Sequence, residues 1–484
     1  MIIASIALAA GLMTASLTHS DLKDPFGIAW SFLYDYKGVP GPLFMPELRS
    51  LGGQWTKIYL IWNQIEPKRG EYDWTAIDRF VGQLKSPEEG LISVFSTSSW
   101  ATRTSAEILP PSPAKDPADY DRFIRALVKR CKGRVRYFQN DSEASNPIYW
   151  SGTAAEFATE TRAFSKAVRE TDPHAKVILG GYDGLFNPGT GFKYPTQDAA
   201  LAFFRQVLNE AQGTFDYFDV RLYADPNSIP ARVAYLRKMM ADNGGERPIL
   251  CTEYNGPGFF EFRENLKYVP LVTKWSAAVA SQGNDHGGDG VADLYKDVSS
   301  LAPQTKMFLQ VDDPELEAKL ARLQCRDLVE RNVYALSAGV RRTMFWDLWH
   351  DTSERNDVMA LMYGKLKMVE YANGKFGKRY PPAEAFLRMT TVLRGVKSVR
   401  PITVPDAPKT LLFEADCGPR GKVLIAWRLG VPFAEEPADT ELDWAWPSHT
   451  CVGLDAIGAK VPVQIHDGRI SLKIGATPVF LSEK

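Results

Sequence analysis

From about Asp24 to about Val396 the chain alternates short apolar runs with longer stretches in which apolar residues return every three or four positions. The runs are Phe26 to Trp30, Thr56 to Ile61, Leu91 to Ser96, Val135 to Gln139, Lys176 to Gly180, Phe218 to Leu222, Pro248 to Thr252 and Thr343 to Trp346. Runs this short and this apolar read as strands buried on both faces. Between them, Ala154 to Glu170 reads as an amphipathic helix stopping at Asp172-Pro173. Ala199 to Ala211 stops near Gly213, and Ile229 to Asp242 stops at Gly244-Gly245. The alternation predicts an α/β fold with a parallel sheet, and eight strands match a (β/α)8 TIM barrel.

The pattern breaks twice. Between Glu253 and Thr343 a long connection carries Phe259-Phe260-Glu261-Phe262, a Gly/Asp-rich segment from Gly283 to Gly290, and a helical stretch from about Asp313 to Leu336. Insertions on that face of a barrel usually shape a binding cleft. Asp285, His286 and Asp289 are possible metal ligands there, although such segments are more often solvated turns. After Ser398 the helical period disappears. Alternating runs at Lys409 to Glu414, Lys422 to Trp427, Val461 to Ile465, Ile470 to Ile474 and Pro478 to Leu481 predict a small antiparallel β-sandwich. The expected organisation is a barrel over 21–397 and a C-terminal sandwich over 398–484.

Residues Ile2 to Leu17 are apolar and small, too few for a comfortable membrane span. They predict an export segment over 1–20 and a secreted or periplasmic protein, although the positive residues usual before such a segment are missing. A length of 484 residues suits a large barrel with one accessory module, and 24% charged with 45% hydrophobic residues is ordinary globular composition. A net charge of -1 gives no electrostatic case for nucleic acid or an anionic membrane as partner. Oligomeric state is not legible. Cys131, Cys251, Cys325, Cys417 and Cys451 form no CxxC or Cys/His cluster, so no metal site is expected. Cys417 and Cys451 share the C-terminal region and are the pair open to a disulfide after export.

Glu143 and Glu253 each close an apolar run and are each followed by loop residues. A parallel barrel builds its active site from those strand ends. Two carboxyl groups facing each other there, about 5–5.5 Å apart, can cleave a glycosidic bond with retention. The sequence has no GxSxG elbow, phosphate-binding glycine loop or HExxH, and Gly180-Gly181 lacks dinucleotide-fingerprint spacing. No cofactor is expected.

The phrase Glu143-Ala144-Ser145-Asn146-Pro147-Ile148-Tyr149-Trp150, with the later Asp172-Pro173-His174-Ala175-Lys176-Val177-Ile178-Leu179-Gly180-Gly181, resembles the fourth-strand region of clan A glycoside hydrolases, family 39 above all. Thr252-Glu253-Tyr254 is similar to the nucleophile segment on the seventh strand of that family, and Trp62-Asn63-Gln64-Ile65-Glu66-Pro67 to its second-strand region. The resemblance implies Glu143 as acid/base, Glu253 as nucleophile, a carbohydrate substrate, and an accessory module in the sandwich. It implies a hydrogen bond from Tyr223 to the nucleophile. The asparagine expected before the acid/base, which contacts the sugar's 2-hydroxyl, is Ser142 here. Asn140 lies just upstream, and a rival register pairs it with Asp141 as the acid. Arg221 replaces a common histidine; it would lower the nucleophile's pKa, bind a substrate carboxylate, or serve as a structural ion pair. Trp346, Trp62, Trp30 and Trp349 compete between sugar platform and core. Glu66 reads as a structural carboxylate. Ser142 also leaves open a carbohydrate-binding protein that does not hydrolyse.

Overall fold

The computed structural model describes residues 24–37, 39–182, 197–282, 288–353, 355–430 and 439–483. The export segment expected over 1–20 lies outside them, as do Asp285, His286 and the side chain of Asp289.

Eight parallel strands close into a barrel in sequence order. They are β1 (Phe26–Ile28), β2 (Trp55–Ile61), β3 (Glu89–Phe95), β4 (Tyr137–Asn140), β5 (Lys176–Tyr182), β6 (Tyr217–Arg221), β7 (Ile249–Tyr254) and β8 (Thr343–Phe345). Each coincides with one of the expected runs to within a few residues. Successive side chains on a strand face opposite ways, and this splits the apolar residues into two sets. Trp55, Tyr59 and Ile61 of β2 join Phe95, Tyr137, Ile178, Tyr217, Leu250 and Met344 inside the barrel. Ile58 and Leu60 turn outward into the layer beneath the helices, with Phe138, Val177, Phe218 and Cys251. Because both faces are covered, every position of β2, β6 and β7 is buried.

The helices start where local chemistry satisfies their free N–H groups. Pro117–Cys131 begins on an Asp116 cap with proline at its first turn, and Ala154–Thr171 begins on a Thr153/Glu156 capping box. The long connection between β7 and β8 folds into helices Val269–Gln282, Gly288–Lys296, Pro303–Lys306 and Pro314–Ser337. It has its own core, built on Phe259, Phe262, Val291, Leu294 and Phe308, and joined by Val358 and Leu361 of the helix Val358–Tyr363 after β8. No helix among the described residues is long and apolar enough to cross a membrane.

From Ser398 to Ser482 the chain forms a six-stranded and a three-stranded antiparallel sheet. They sandwich Leu412, Leu424, Ala426, Leu442, Ile470 and Leu472. The run expected as one strand from Val461 to Ile465 is two, Lys460–Val461 and Gln464–His466, in different sheets. Pro462 between them has no N–H to continue a ladder. Cys417 and Cys451 are both free thiols, which removes the disulfide considered above. Cys417 is buried in the core shared with the barrel and Cys451 packs against the core between the sheets.

Barrel and sandwich meet through aromatic rings. Tyr334, on the helix Pro314–Ser337, sets its ring edge-on to Phe413 and Trp427 at 5.6 Å each, and those two stack at 5.0 Å. Trp427 is 1% exposed. Trp427→Ala should therefore remove about 3–5 kcal/mol of folding stability. Calorimetry should show barrel and sandwich melting together at a lower temperature. A barrel transition that stays in place while a smaller one moves would show that the two halves are not coupled through this contact.

Candidate active site

Pairing between β6 and β7 slips at one point: Val220 faces Cys251, but Arg221 faces Glu253. Thr252 is the extra residue of a β-bulge, a device that re-aims side chains. Cys251 points outward into the helix layer, whereas the Thr252 and Glu253 side chains both reach groups inside the barrel. The N–H that the bulge frees from the ladder is taken by Asp219 Oδ1 at 2.9 Å, and Thr252 Oγ1 donates to Asp219 Oδ2 at 2.6 Å. Gln139 Nε2, reaching across from β4, donates to the same Oδ2 at 2.8 Å.

Arg221, the last residue of β6, is fully buried and all three of its nitrogens are engaged. Nη1 donates to Asp219 Oδ2 at 2.5 Å and Thr252 Oγ1 at 2.7 Å, and Nη2 donates to Ser142 Oγ and to Tyr59 OH. Nε lies 2.9 Å from Glu143 Oε1 and 3.1 Å from Glu253 Oε2. The two oxygens are thus no farther apart than those distances combined, about 6 Å, short of the ~6.5–9.5 Å that would leave room for a water between carboxyl groups. Gly181 makes the arrangement possible, since a Cβ there would lie 2.6 Å from the guanidinium.

Glu143 reaches this point because the chain turns sharply after β4. Asp141 and Glu143 take left-handed backbone angles, φ 46° and 52°, which carry Ser142 and Glu143 over the barrel end. The Glu143 side chain is 16% exposed, so solvent reaches it, while Arg221 beneath it is sealed.

Glu253 is held from four directions. Lys57 Nζ, on β2, lies 2.6 Å from Oε1 and also donates to Tyr59 OH at 2.7 Å and Thr252 Oγ1 at 3.1 Å. Tyr59 OH donates to Oε1, Tyr223 OH donates to Oε2 at 3.0 Å, and Arg221 completes the set. These environments drive the two carboxyl groups apart. Burial pushes Glu143 up to about 7, with the Arg221 charge opposing and the Glu253 charge adding to the rise. Burial acts on Glu253 too, but Arg221 and Lys57 outweigh it and hold that carboxyl below its ordinary value. Burial also pulls the Lys57 ammonium down to about 8 and keeps the Tyr59, Tyr149 and Tyr223 hydroxyls protonated well past their usual range. The same small space thus favours a proton on Glu143 and a negative charge on Glu253.

Of the residues singled out from sequence, Glu143, Glu253, Ser142, Arg221 and Tyr223 converge here. Trp346 does too, but it is 4% exposed, packed on Tyr59 at 5.6 Å with Lys57 Nζ 5.7 Å from its ring. Asn140 and Trp62 are corrections. Asn140 sits at an outward position of β4 and its amide donates to Thr161 on the helix Ala154–Thr171. Trp62 is fully buried among the helices, stacked on Phe123 at 5.1 Å, and donates to Glu66 Oε2 at 2.8 Å. Trp30 is 1% exposed and stacks on Trp349. Asp141, the rival acid, faces the helix layer and accepts the Ser96 N–H at 2.9 Å. Cys251 is a packed thiol, pushed up to about 12 by burial. Each nitrogen of Arg221 already has a protein partner, the two glutamates among them. Lys57, Tyr59 and Asp219 were not singled out from sequence. The signal was present, because Lys57 shares the inward parity of Trp55, Tyr59 and Ile61 in an otherwise apolar strand.

The sequence matches no protein-family model and no curated protein sequence. Its fold does match solved structures. A family 39 glycoside hydrolase from Bacteroides cellulosilyticus WH2 superposes with a TM-score of 0.62 over 95% of this chain and 81% of that one, at 14% identity. A family 51 α-L-arabinofuranosidase from Bifidobacterium longum gives 0.55 over 95% and 96%, at 12% identity. A family 39 β-xylosidase from Caulobacter crescentus gives 0.53 over 95% and 97%, at 13% identity. At these identities the likeness establishes a shared architecture.

Because the Glu253 pKa is depressed in the fold, its contribution to stability is present above the ordinary carboxylate value of 4.5 and is lost only as pH falls through a lower value. Lys57→Met should move that loss to higher pH, with the Glu253 carboxyl taking up its proton earlier in a carbon NMR titration. An unmoved titration would show that Lys57 does not hold the charge.

Proposed function

We propose that the protein is a retaining glycoside hydrolase acting on oligo- or polysaccharides by double displacement. One observation carries the reading: two strand-end glutamates share a single arginine nitrogen while their surroundings set them to opposite protonation states. Such a split marks an acid and a nucleophile. Their bounded separation favours retention, since inversion needs a water between them.

In the first step the Glu253 carboxylate attacks the anomeric carbon while Glu143 gives its proton to the leaving oxygen. Glu253 becomes an ester and loses its charge. The repulsion that helped keep Glu143 protonated is then gone and Arg221 remains beside it, so Glu143 becomes a base. In the second step Glu143 takes a proton from water as that water attacks the anomeric carbon, and Glu253 leaves as a carboxylate. Lys57, Tyr59 and Tyr223 meet the charge that returns. Tyr59, Trp346 and Tyr149 line the barrel end beside the two glutamates, and the resemblance would give Ser142 the place next to the sugar's 2-hydroxyl.

A second reading, carbohydrate binding without turnover, draws support from Ser142, whose oxygen is already engaged by Arg221 and Tyr59. Incubation with activated glycosides separates the two, because only hydrolysis yields product. The proposal extends to export, and N-terminal sequencing of protein recovered from its host decides whether residues 1–20 are removed.

Glu253→Ala should abolish turnover with the fold retained, and azide should restore it as a glycosyl azide of inverted configuration. Turnover equal to wild type would end the assignment. Glu143→Ala should lower kcat/KM by about 10²–10⁴-fold for poor leaving groups and much less for activated ones. The kcat/KM profile should fall on the alkaline side as pH rises through about 7, where Glu143 loses its proton. Its acid limb should lie below the ordinary carboxylate value of 4.5.

A further inference from the structure

Behind the Glu143 turn, on the helix side of the barrel, a second pair of carboxyl groups is buried with no cation beside it. Asp141 is fully buried, and Glu160 on the helix Ala154–Thr171 is 7% exposed. Ser96, at the end of β3, holds both: its N–H donates to Asp141 Oδ1 at 2.9 Å and its hydroxyl to Glu160 Oε1 at 2.5 Å. Asp141 Oδ2 finds no N–H or hydroxyl donor, which leaves a proton on the neighbouring Glu160 carboxyl as the donor within its reach. The other elements packed here contribute the Tyr120 hydroxyl from the helix Pro117–Cys131 and the Ala114 N–H from the connection before it. Among the described residues no lysine, arginine or histidine acts on either carboxyl.

Two carboxylates in contact inside a protein cannot both ionise without strong repulsion. A hydrogen bond between them needs a proton on one. Asp141 is two residues before Glu143, and both occupy strained left-handed angles. Gly180 packs against that turn so closely that a Cβ there would lie 2.7 Å from the Asp141 carbonyl oxygen. Displacing the Asp141 side chain therefore displaces Glu143.

We propose that Asp141 and Glu160 share one proton and act as positioning residues for Glu143, so that losing this proton takes the acid/base out of alignment. The proposal rests on the hydrolase reading for its catalytic consequence, though not for the shared proton itself. Burial pushes Asp141 up to about 7 and Glu160 well above the ordinary range, where the Asp141 charge adds to the rise, so Glu160 is the member that keeps the proton longer.

Wild type then loses activity in two proton steps above neutrality, about a hundredfold in kcat/KM per pH unit once both are lost. In Glu160→Gln the amide donates to Asp141 without a titrating proton, and the loss should be about tenfold per unit. Equal slopes in the two proteins would overturn the positioning role. A second measurement needs no substrate. The folded pair holds a proton that the unfolded chain releases, so wild-type stability falls as pH rises above the ordinary carboxylate range. The Tm of Glu160→Gln should decline less over that rise. Equal declines would overturn the shared proton even if no glycoside is ever turned over. Should Glu160→Gln not fold, Asp141→Asn supplies the same donor from the other side, and the same flattening of Tm is expected.

Discussion

The site depends on how one guanidinium distributes its donors. Arg221 has no exposure to water, so each nitrogen must find an acceptor within the protein or leave a costly unsatisfied group. It finds them on three strands and one turn: Asp219 on β6 itself, Thr252 and Glu253 on β7, Tyr59 on β2, and the Ser142-Glu143 turn after β4. A planar, permanently charged fork can hold two carboxyl groups in register with each other. A lysine at 221 could not span the same set. The price of this arrangement is a barrel interior that is polar at one end, with Lys57, Asp219 and Arg221 where side chains such as Ile178 and Leu250 fill the rest.

That polar layer balances. Lys57 and Arg221 carry two positive charges, and Asp219 and Glu253 two negative ones, when Glu143 is protonated. A third carboxylate upsets the balance, which together with burial explains why Glu143 keeps its proton near neutrality. The bulge at Thr252 belongs to the same arrangement. It turns consecutive side chains of β7 to the same side, and the backbone N–H it releases is met by the carboxylate that also anchors the arginine.

Most of the architecture was legible because burial on both faces makes barrel strands nearly continuous apolar runs, and because loop chemistry punctuates the helices. Glu143 and Glu253 stood out as carboxylates closing such runs. What escaped was orientation. Asn140 lies one residue before the outward-facing Asp141, and only the left-handed turn beyond it brings Ser142 and Glu143 to the axis. Trp62 begins a short helix that leaves the barrel, so its ring joins the helix layer despite its place in the resembling phrase. Lys57 was hidden by its setting, as one charge inside an apolar run whose partners are far away in sequence. Parity along β2 would have exposed it. The bulge in β7 has no sequence signature of its own.

The close approach of the Arg221 guanidinium to Gly181 joins two sites that are distant in the primary structure. A methyl at 181 and an arginine at 221 exclude one another by volume. Any side chain at 181 would therefore push the guanidinium aside, and with it the contacts through which Arg221 holds Glu143 and Glu253 together.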